Sequence, residues 1–271
     1  MGTLALNTTL YVYILGFNHN SNFEIPDIIP DIIASGAKGP DPVRQAYTYS
    51  ITFGCFKTAA TNGIDVCLVD SKYNSSNTSG TKYFNMLHRG YYNYGGWAGS
   101  DMRYDILGST DVQPSGYGST PTTSKTGYNA TSTCATSPVA NTLMSCLPSD
   151  LRAVMKPMTK YTDNKGGNGS NAEANVTSSI DYLPLLSEYE IHGVRSHANQ
   201  YEQNKQARYA YYTAGNSKVK YQHSATSSTA TWWCRSACYS YSRAFCLVST
   251  SGSAGNYDVS NSRGVAPCFL V

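Results

Sequence analysis

The apolar residues of this chain come in short β-prone runs, and turn-rich stretches of Ser, Thr, Asn and Gly separate them. Residues 10–17 (LYVYILGF) read as the first core strand. In residues 47–56 (YTYSITFGCF), Tyr47, Tyr49, Ile51 and Phe53 alternate as in a half-buried strand, and 65–70 (DVCLVD) is a further short apolar run. Residues 24–34 carry Ile in pairs, but Pro26 and Pro30 deny them a continuous helix. Helical signals are short and lie in the middle of the chain. Ser100 or Asp101 caps a helix that turns Met102 and Ile106 to the core, and 143–158 reads as two helical pieces with Ser149 and Asp150 as caps. In 180–193 a strand (LPLL) runs into a short helix capped by Ser187, and 198–214 reads as a helix ending near Gly215. Residues 113–138, 161–175 and a Ser/Thr stretch before Thr231 read as loops. Strands at both ends around short helices and long connections define an α+β class.

A chain of 271 residues can bury a substantial core as one domain, residues 1–271. Within it, 1–52 form an N-terminal strand and covering loops, 53–231 a scaffold, and 232–271 a C-terminal region with its own composition. Charged residues make up 14%, and the net charge of +3 is spread along the chain, so no basic stripe offers itself to nucleic acid. The unusual component is tyrosine, with 23 residues accompanied by many Ser, Thr, Asn and Gly. Tyr supplies contact area at low rotamer cost and the small polar residues supply adaptable hydrogen bonds, which is the composition of binding loops. The N-terminus has no Lys or Arg before its apolar part, which Asn7, Thr8 and Thr9 interrupt. It reads as a strand rather than a signal peptide or membrane span, so the expectation is either export by another route, such as on a virus particle, or a leader missing from this chain.

Searching for reaction chemistry yields little. The eight cysteines show no CxxC pair or zinc-finger spacing, and they read as mostly free thiols. His19, His88, His192, His197 and His223 are scattered, and no metal or cofactor is expected. Nucleophile elbow, Walker loop and dinucleotide fingerprint are all missing. Asp101, Asp105, Glu188 and Glu190 read as helix caps and solvent-facing charges rather than an acid–base pair. Asn7, Asn74, Asn129 and Asn175 stand in Asn-x-Ser/Thr sequons, discounted here because no leader precedes them. These features describe a binding protein rather than an enzyme.

The C-terminal stretch opens with Trp232, Trp233, Arg235 and Ser236 and closes with Arg263, Gly264, Ala266, Pro267 and Phe269. Together with Gly95, Gly96, Trp97, Ser100, Met102 and Arg103, and with Leu185, Leu186, Ser187, Glu188, Glu190 and Gly193, these residues form four ordered motifs. They resemble the DUF6273 group of bacterial and phage proteins, over roughly 53–271. The ending also resembles that of C-type lectin-fold proteins related to formylglycine-generating enzyme, a fold used by variable proteins of diversity-generating retroelements. That resemblance implies a C-type lectin-like fold with short helices, small antiparallel sheets and long irregular loops.

In such systems template adenines are miscopied, so Asn codons become Tyr, Ser, Asp, Cys, Arg, Leu and others. The resemblance therefore nominates Cys234, Cys238, Tyr239, Tyr241, Arg243, Leu247, Ser249, Asn256, Tyr257, Asp258 and Asn261 as diversified, ligand-contacting positions. Trp232, Trp233, Arg235, Ser236, Gly264, Pro267 and Phe269 are then scaffold, with the Arg235 fork holding a carboxylate or backbone carbonyls. The implied role is a receptor-binding or adhesin-type protein on a phage tail or bacterial surface, recognising a protein or glycan on a host or neighbouring cell. Two other roles stand beside it: a copper/cysteine oxidase of the formylglycine-generating type, and a structural virion component. Calcium-dependent sugar motifs are missing, and the related enzyme's copper-cysteine spacing is not reproduced.

Overall fold

The computed structural model describes residues 9–19, 50–70, 92–111, 113–114, 121–122, 133–167 and 171–271. Residues 24–34, Tyr47, Tyr49, His88, the sequons at Asn7, Asn74 and Asn129, and most of 113–138 lie outside that set. The strands are β1 (Tyr11–Phe17), β2 (Ile51–Lys57), β3 (Asp65–Cys67), β4 (Gln113–Pro114), β5 (Pro121–Thr122), β6 (Met158–Asp163) and β7 (Val176–Asp181). They continue with β8 (Lys220–Gln222), β9 (Ala225–Ala230), β10 (Trp232–Ala237), β11 (Ala244–Val248), β12 (Ala254–Asp258) and β13 (Phe269–Leu270). Short helices fill the middle: a π-helix at Met102–Ile106, α1 (Leu143–Cys146), α2 (Ser149–Val154), α3 (Glu188–His192), a 3-10 helix at Gln200–Lys205 and α4 (Ala210–Thr213). The class is therefore mixed α+β with several small sheets, and no helix among the described residues is long and apolar enough to cross a membrane.

The largest sheet runs β1-β2-β3-β8-β9, with β13 also paired to β2. Its strands come from both ends and the middle of the chain, so the two ends meet: Phe269 pairs with Phe53 and Leu270 with Thr52. A second sheet, β10-β11-β12, is antiparallel, with β10 and β11 buried on both faces and β12 a partly exposed edge. Trp233, Phe245 and Leu247 turn into one apolar cluster, with Trp97, Met102 and Leu185. Trp232, Cys234, Cys246 and Val248 turn into the other, with Leu186, Ile191 and Tyr212. A strand covered on both sides shows no alternation of apolar and polar residues. This is why β10 and β11 carry so little period-two signal.

The four sequence motifs coincide with buried polar anchors. Trp97 Nε1 donates to Asp181 Oδ2 at 3.1 Å and Arg103 Nε to Asp181 Oδ1 at 2.7 Å, so one buried carboxylate at the end of β7 holds both ends of the GGW-x-x-S-x-M-R segment. Gly96 has φ +51°, and a Cβ there would lie 2.0 Å from the Asp163 carbonyl oxygen. Gly264 is required for another reason: a Cβ would come within 2.4 Å of the Cys67 sulfur.

Several elements differ from the sequence reading. The helix expected over 198–214 is two pieces, because Gln206 is extended and its amide turns inward to the Tyr161 carbonyl. The loop read at 161–175 connects the hairpin strands β6 and β7, with only 161–163 belonging to β6, whereas the Ser/Thr stretch before Thr231 is β9, paired to β8. LPLL makes only an isolated bridge, Leu185 to Pro267. In 143–158 the two helical pieces are present, but Thr142 caps α1 and the N-cap of α2 is Pro148, without a side-chain bond. Ser187 caps α3 as expected, in a reciprocal capping box with Glu190, and Gly193 ends that helix at φ +70°.

Candidate ligand-binding surface

Under the C-terminal surface lies a buried ionic network. Arg235 is fully buried, and its guanidinium donates to Thr162 Oγ1 at 3.0 Å, the Leu185 carbonyl at 2.9 Å, Glu190 Oε2 at 2.5 Å and Gln206 Oε1 at 2.6 Å. Lys160 Nζ meets the other Glu190 oxygen at 2.9 Å. Burial pushes the Glu190 carboxyl up, but Arg235 and Lys160 outweigh it and hold its pKa far below the usual carboxylate range. Glu202, also buried, accepts from the Asp163 N–H at 3.0 Å and the Ser236 hydroxyl at 2.7 Å. Those bonds do not offset its desolvation, and its pKa rises to about 7. The scaffold residues Trp232, Trp233, Arg235, Ser236, Gly264, Pro267 and Phe269 are all buried.

The eleven nominated contact residues divide. Cys234, Cys238 and Leu247 are buried at 0%, 1% and 5% exposure, packed inside the protein where no surface ligand reaches them. Burial pushes the Cys234 thiol well above its ordinary pKa, which leaves no reactive thiolate. No two of the eight cysteines are joined by a disulfide. Ser249 is partly exposed but follows β11, and six residues of roughly 3.4 Å rise put it about 20 Å from Arg243. The other seven gather at one end of the sheet and along its outer strand. Tyr239, Tyr241 and Arg243 lie on the β10–β11 turn, Asn256, Tyr257 and Asp258 on β12, and Asn261 just beyond, where its N–H donates to the Asp258 carbonyl. Tyr241 is 50% exposed and Tyr257 48%.

Two buried side chains hold this surface by its main chain. Asn93 lies before the GGW motif, and its amide nitrogen donates to the carbonyls of Cys238, Tyr241 and Ala244 at 3.1, 3.1 and 2.8 Å. Its own N–H donates to the Ser242 carbonyl at 2.7 Å. Glu188 accepts the backbone N–H groups of Ser196, His197 and Ala198 at 3.1, 2.9 and 2.8 Å. The expectation of solvent-facing charge at Glu188 and Glu190 is thus corrected: each is buried because a set of donors awaits it.

The loop that Glu188 grips lies against the turn. The Tyr239 N–H donates to the His197 carbonyl at 3.0 Å, and the Asn256 amide is 3.0 Å from His197 Nδ1. Guanidinium groups cover two of the tyrosines, Arg195 at 4.7 Å over Tyr239 and Arg263 at 4.2 Å over Tyr257. Arg243 meets Asp258 at 3.1 Å. Sequence reasoning missed Asn93, Arg195 and His197. Glu188 stood within a recognised motif, but nothing local marks an Asn two residues before a Gly pair as the support of a turn 145 residues away.

Among the described residues no group of three or more His, Cys, Asp or Glu is placed to hold a metal ion. With this geometry in view, the comparison with families is direct. The DUF6273 profile, described as a domain of unknown function, matches residues 87–271. The chain belongs to the DUF6273 family. That match takes in all four motifs, Asn93, and the surface they support. No curated protein and no solved structure matches the chain.

Proposed function

We propose that this DUF6273 chain is a non-enzymatic binding protein of the receptor-binding or adhesin type, with a C-type lectin-like fold and a C-terminal surface diversified by a retroelement. It would act on a phage tail or bacterial surface against a protein or glycan target. One observation carries the reading. Seven of the residues nominated for diversification lie on one turn and on or just beyond one edge strand, none of them buried, while the motif residues beside them in sequence are buried. Substitutions at such positions cost little stability, because surface changes away from special features stay within roughly 0.5 kcal/mol. Buried Cys234, Cys238 and Leu247 do not belong to the variable face on this reading.

The deciding experiment is sequencing the gene and its neighbourhood in sibling isolates. The expected result is substitutions concentrated at Tyr239, Tyr241, Arg243, Asn256, Tyr257, Asp258 and Asn261, sparing Trp232, Trp233, Arg235 and Gly264, beside a reverse transcriptase and a near-copy of the region. Substitutions scattered evenly over 92–271, with neither element nearby, would sink it.

A further inference from the structure

Lys220 on β8 is 1% exposed, and its ammonium faces Asp65 Oδ1 of β3 at 2.8 Å, Cys55 Sγ of β2 at 3.7 Å and the Trp232 ring at 4.9 Å. A buried lysine needs a carboxylate beside it, and Asp65 meets that need. The ion pair does not call for the thiol. Cys55 is the extra residue of a bulge, because Val12 of β1 pairs with Phe56 and Tyr13 with Gly54. Its φ of +53° lies in the left-handed region, which a non-glycine residue seldom adopts. A Cβ at Gly54 would meet Leu15, and Cys55 packs in the same cluster as Leu15, so two successive positions of β2 face one way. Bulges re-aim side chains in this manner. The Cys55 sulfur ends between Lys220 Nζ and the Tyr212 hydroxyl on α4, which is 3.4 Å away.

One atom of this cluster has nothing to bind. Asp65 is 6% exposed, yet among the described residues its Oδ2 has no hydrogen-bond partner, although Oδ1 of the same carboxylate holds Lys220. A buried acceptor left bare is costly. It is also a place for a proton that the neighbouring ammonium sheds.

We propose that Cys55 and Lys220 form a modification site, at which peroxide oxidation of the thiol leads to a covalent Sγ–Nζ cross-link between β2 and β8. The Cys55 sulfur takes one oxygen from hydrogen peroxide; the O–O bond breaks, a sulfenic acid forms and one water leaves. Lys220 passes a proton to Asp65, and its neutral amine attacks the sulfenic sulfur. The N–S bond forms, the S–O bond breaks, and the hydroxyl departs with an amine proton as a second water. A sulfenic acid condenses with a nitrogen to a sulfenamide in this way. Sulfur loses two electrons and the peroxide gains them, while Asp65 keeps the proton it received. Burial pushes the Cys55 thiol up to about 11 against the pull of Lys220, so the first step is slow and the link accumulates under sustained exposure.

The test uses the purified full chain, kept reduced or incubated with hydrogen peroxide, then denatured in iodoacetamide, cut with trypsin and read by mass spectrometry. The expected product joins the peptides of Cys55 and Lys220 and is lighter than their sum by a pair of hydrogens. It is uncut after Lys220, and Cys234 of the same peptide is alkylated, which separates it from a Cys55–Cys234 disulfide. It should be missing from the reduced sample and vanish with dithiothreitol. Lys220→Arg keeps a cation for Asp65 and should send Cys55 on to sulfinic acid. Peroxide-treated native protein in which the chain is cut after Lys220, with Cys55 alkylated, over-oxidised or joined to another cysteine, overturns the proposal. That result is read on the unaltered chain, so it decides even where Lys220→Arg does not fold.

Discussion

The Asn93 side-chain amide donates to the Ala244 carbonyl at 2.8 Å, across 151 residues of chain, and through that bond a scaffold segment fixes the start of β11. Because it also serves Cys238 and Tyr241, Asn93→Ala removes three hydrogen bonds at once, leaving the Ala244 and Tyr241 carbonyls only the backbone N–H groups of Cys238 and Ala244. A loss of about 1–3 kcal/mol is expected in urea unfolding. Asn93→Asp should cost more, since it turns an acceptor toward carbonyl oxygens.

Arg235 is the donor hub of the buried network, and Arg235→Met leaves Glu190 with Lys160 and the Ser187 N–H. Removing one partner of a buried pair costs roughly 3–5 kcal/mol. The double variant Arg235→Met/Glu190→Gln should recover part of that loss, so a double-mutant cycle in guanidinium chloride is expected to show strong coupling between the two sites.

Glu202 makes stability depend on pH in a direction opposite to most carboxylates. Its folded pKa, raised by burial to about 7, exceeds the ordinary 4.5, so between these values the native state holds the extra proton. Stability from this group therefore falls as pH rises from 4.5 to 7, by on the order of 3 kcal/mol, and is flat above. Glu190 acts the other way, with stability present above its ordinary pKa and lost as pH falls below it. Urea midpoints at pH 5 and 8 check the sign: Glu202→Gln, which imitates the protonated form, should gain on the native protein at pH 8 relative to pH 5.

Glu188→Gln keeps the shape of the side chain but sets an NH2 group against backbone donors. The expected result is local. Amides of Ser196, His197 and Ala198 should exchange with deuterium faster, while protection in β6 and β7 stays as it was.

Cys234 and Tyr241 make a paired comparison, because both were nominated as variable and only one is exposed. Cys234→Ser places a hydroxyl in an apolar cluster and should cost about 1–3 kcal/mol. Tyr241→Ser should lie within roughly 0.5 kcal/mol of the native protein. Thermal melts of the two variants decide it, and equal melting temperatures would contradict the placement of Cys234.

The sequence revealed the fold where local chemistry speaks: β1 as a strand, though as an edge with Tyr11, Val12, Ile14 and Phe17 exposed and not as a core strand, the Ser187 capping box, and the Gly96 and Gly264 positions that admit no side chain. It was misleading where tertiary partners decide. β9 is Ser/Thr-rich and half exposed, so its strand character comes from pairing with β8 and leaves no apolar trace. The 198–214 segment has helical composition, yet Glu202 and Gln206 are drawn toward buried partners, and the helix breaks. At the surface, residue type alone could not separate exposed Tyr241 and Tyr257 from buried Cys234 and Leu247, because β10 and β11 are covered on both faces.

Asn93 and Glu188 share a property with consequences for how this surface can change. Each grips main-chain atoms, carbonyl oxygens in one case and N–H groups in the other. Every amino acid supplies the first, and all but proline supply the second. The grip is therefore blind to the identity of the residues it holds. A lineage can rewrite the side chains of the gripped segments while the path of the backbone is inherited intact, and proline at positions 196–198 is the one spelling that Glu188 forbids.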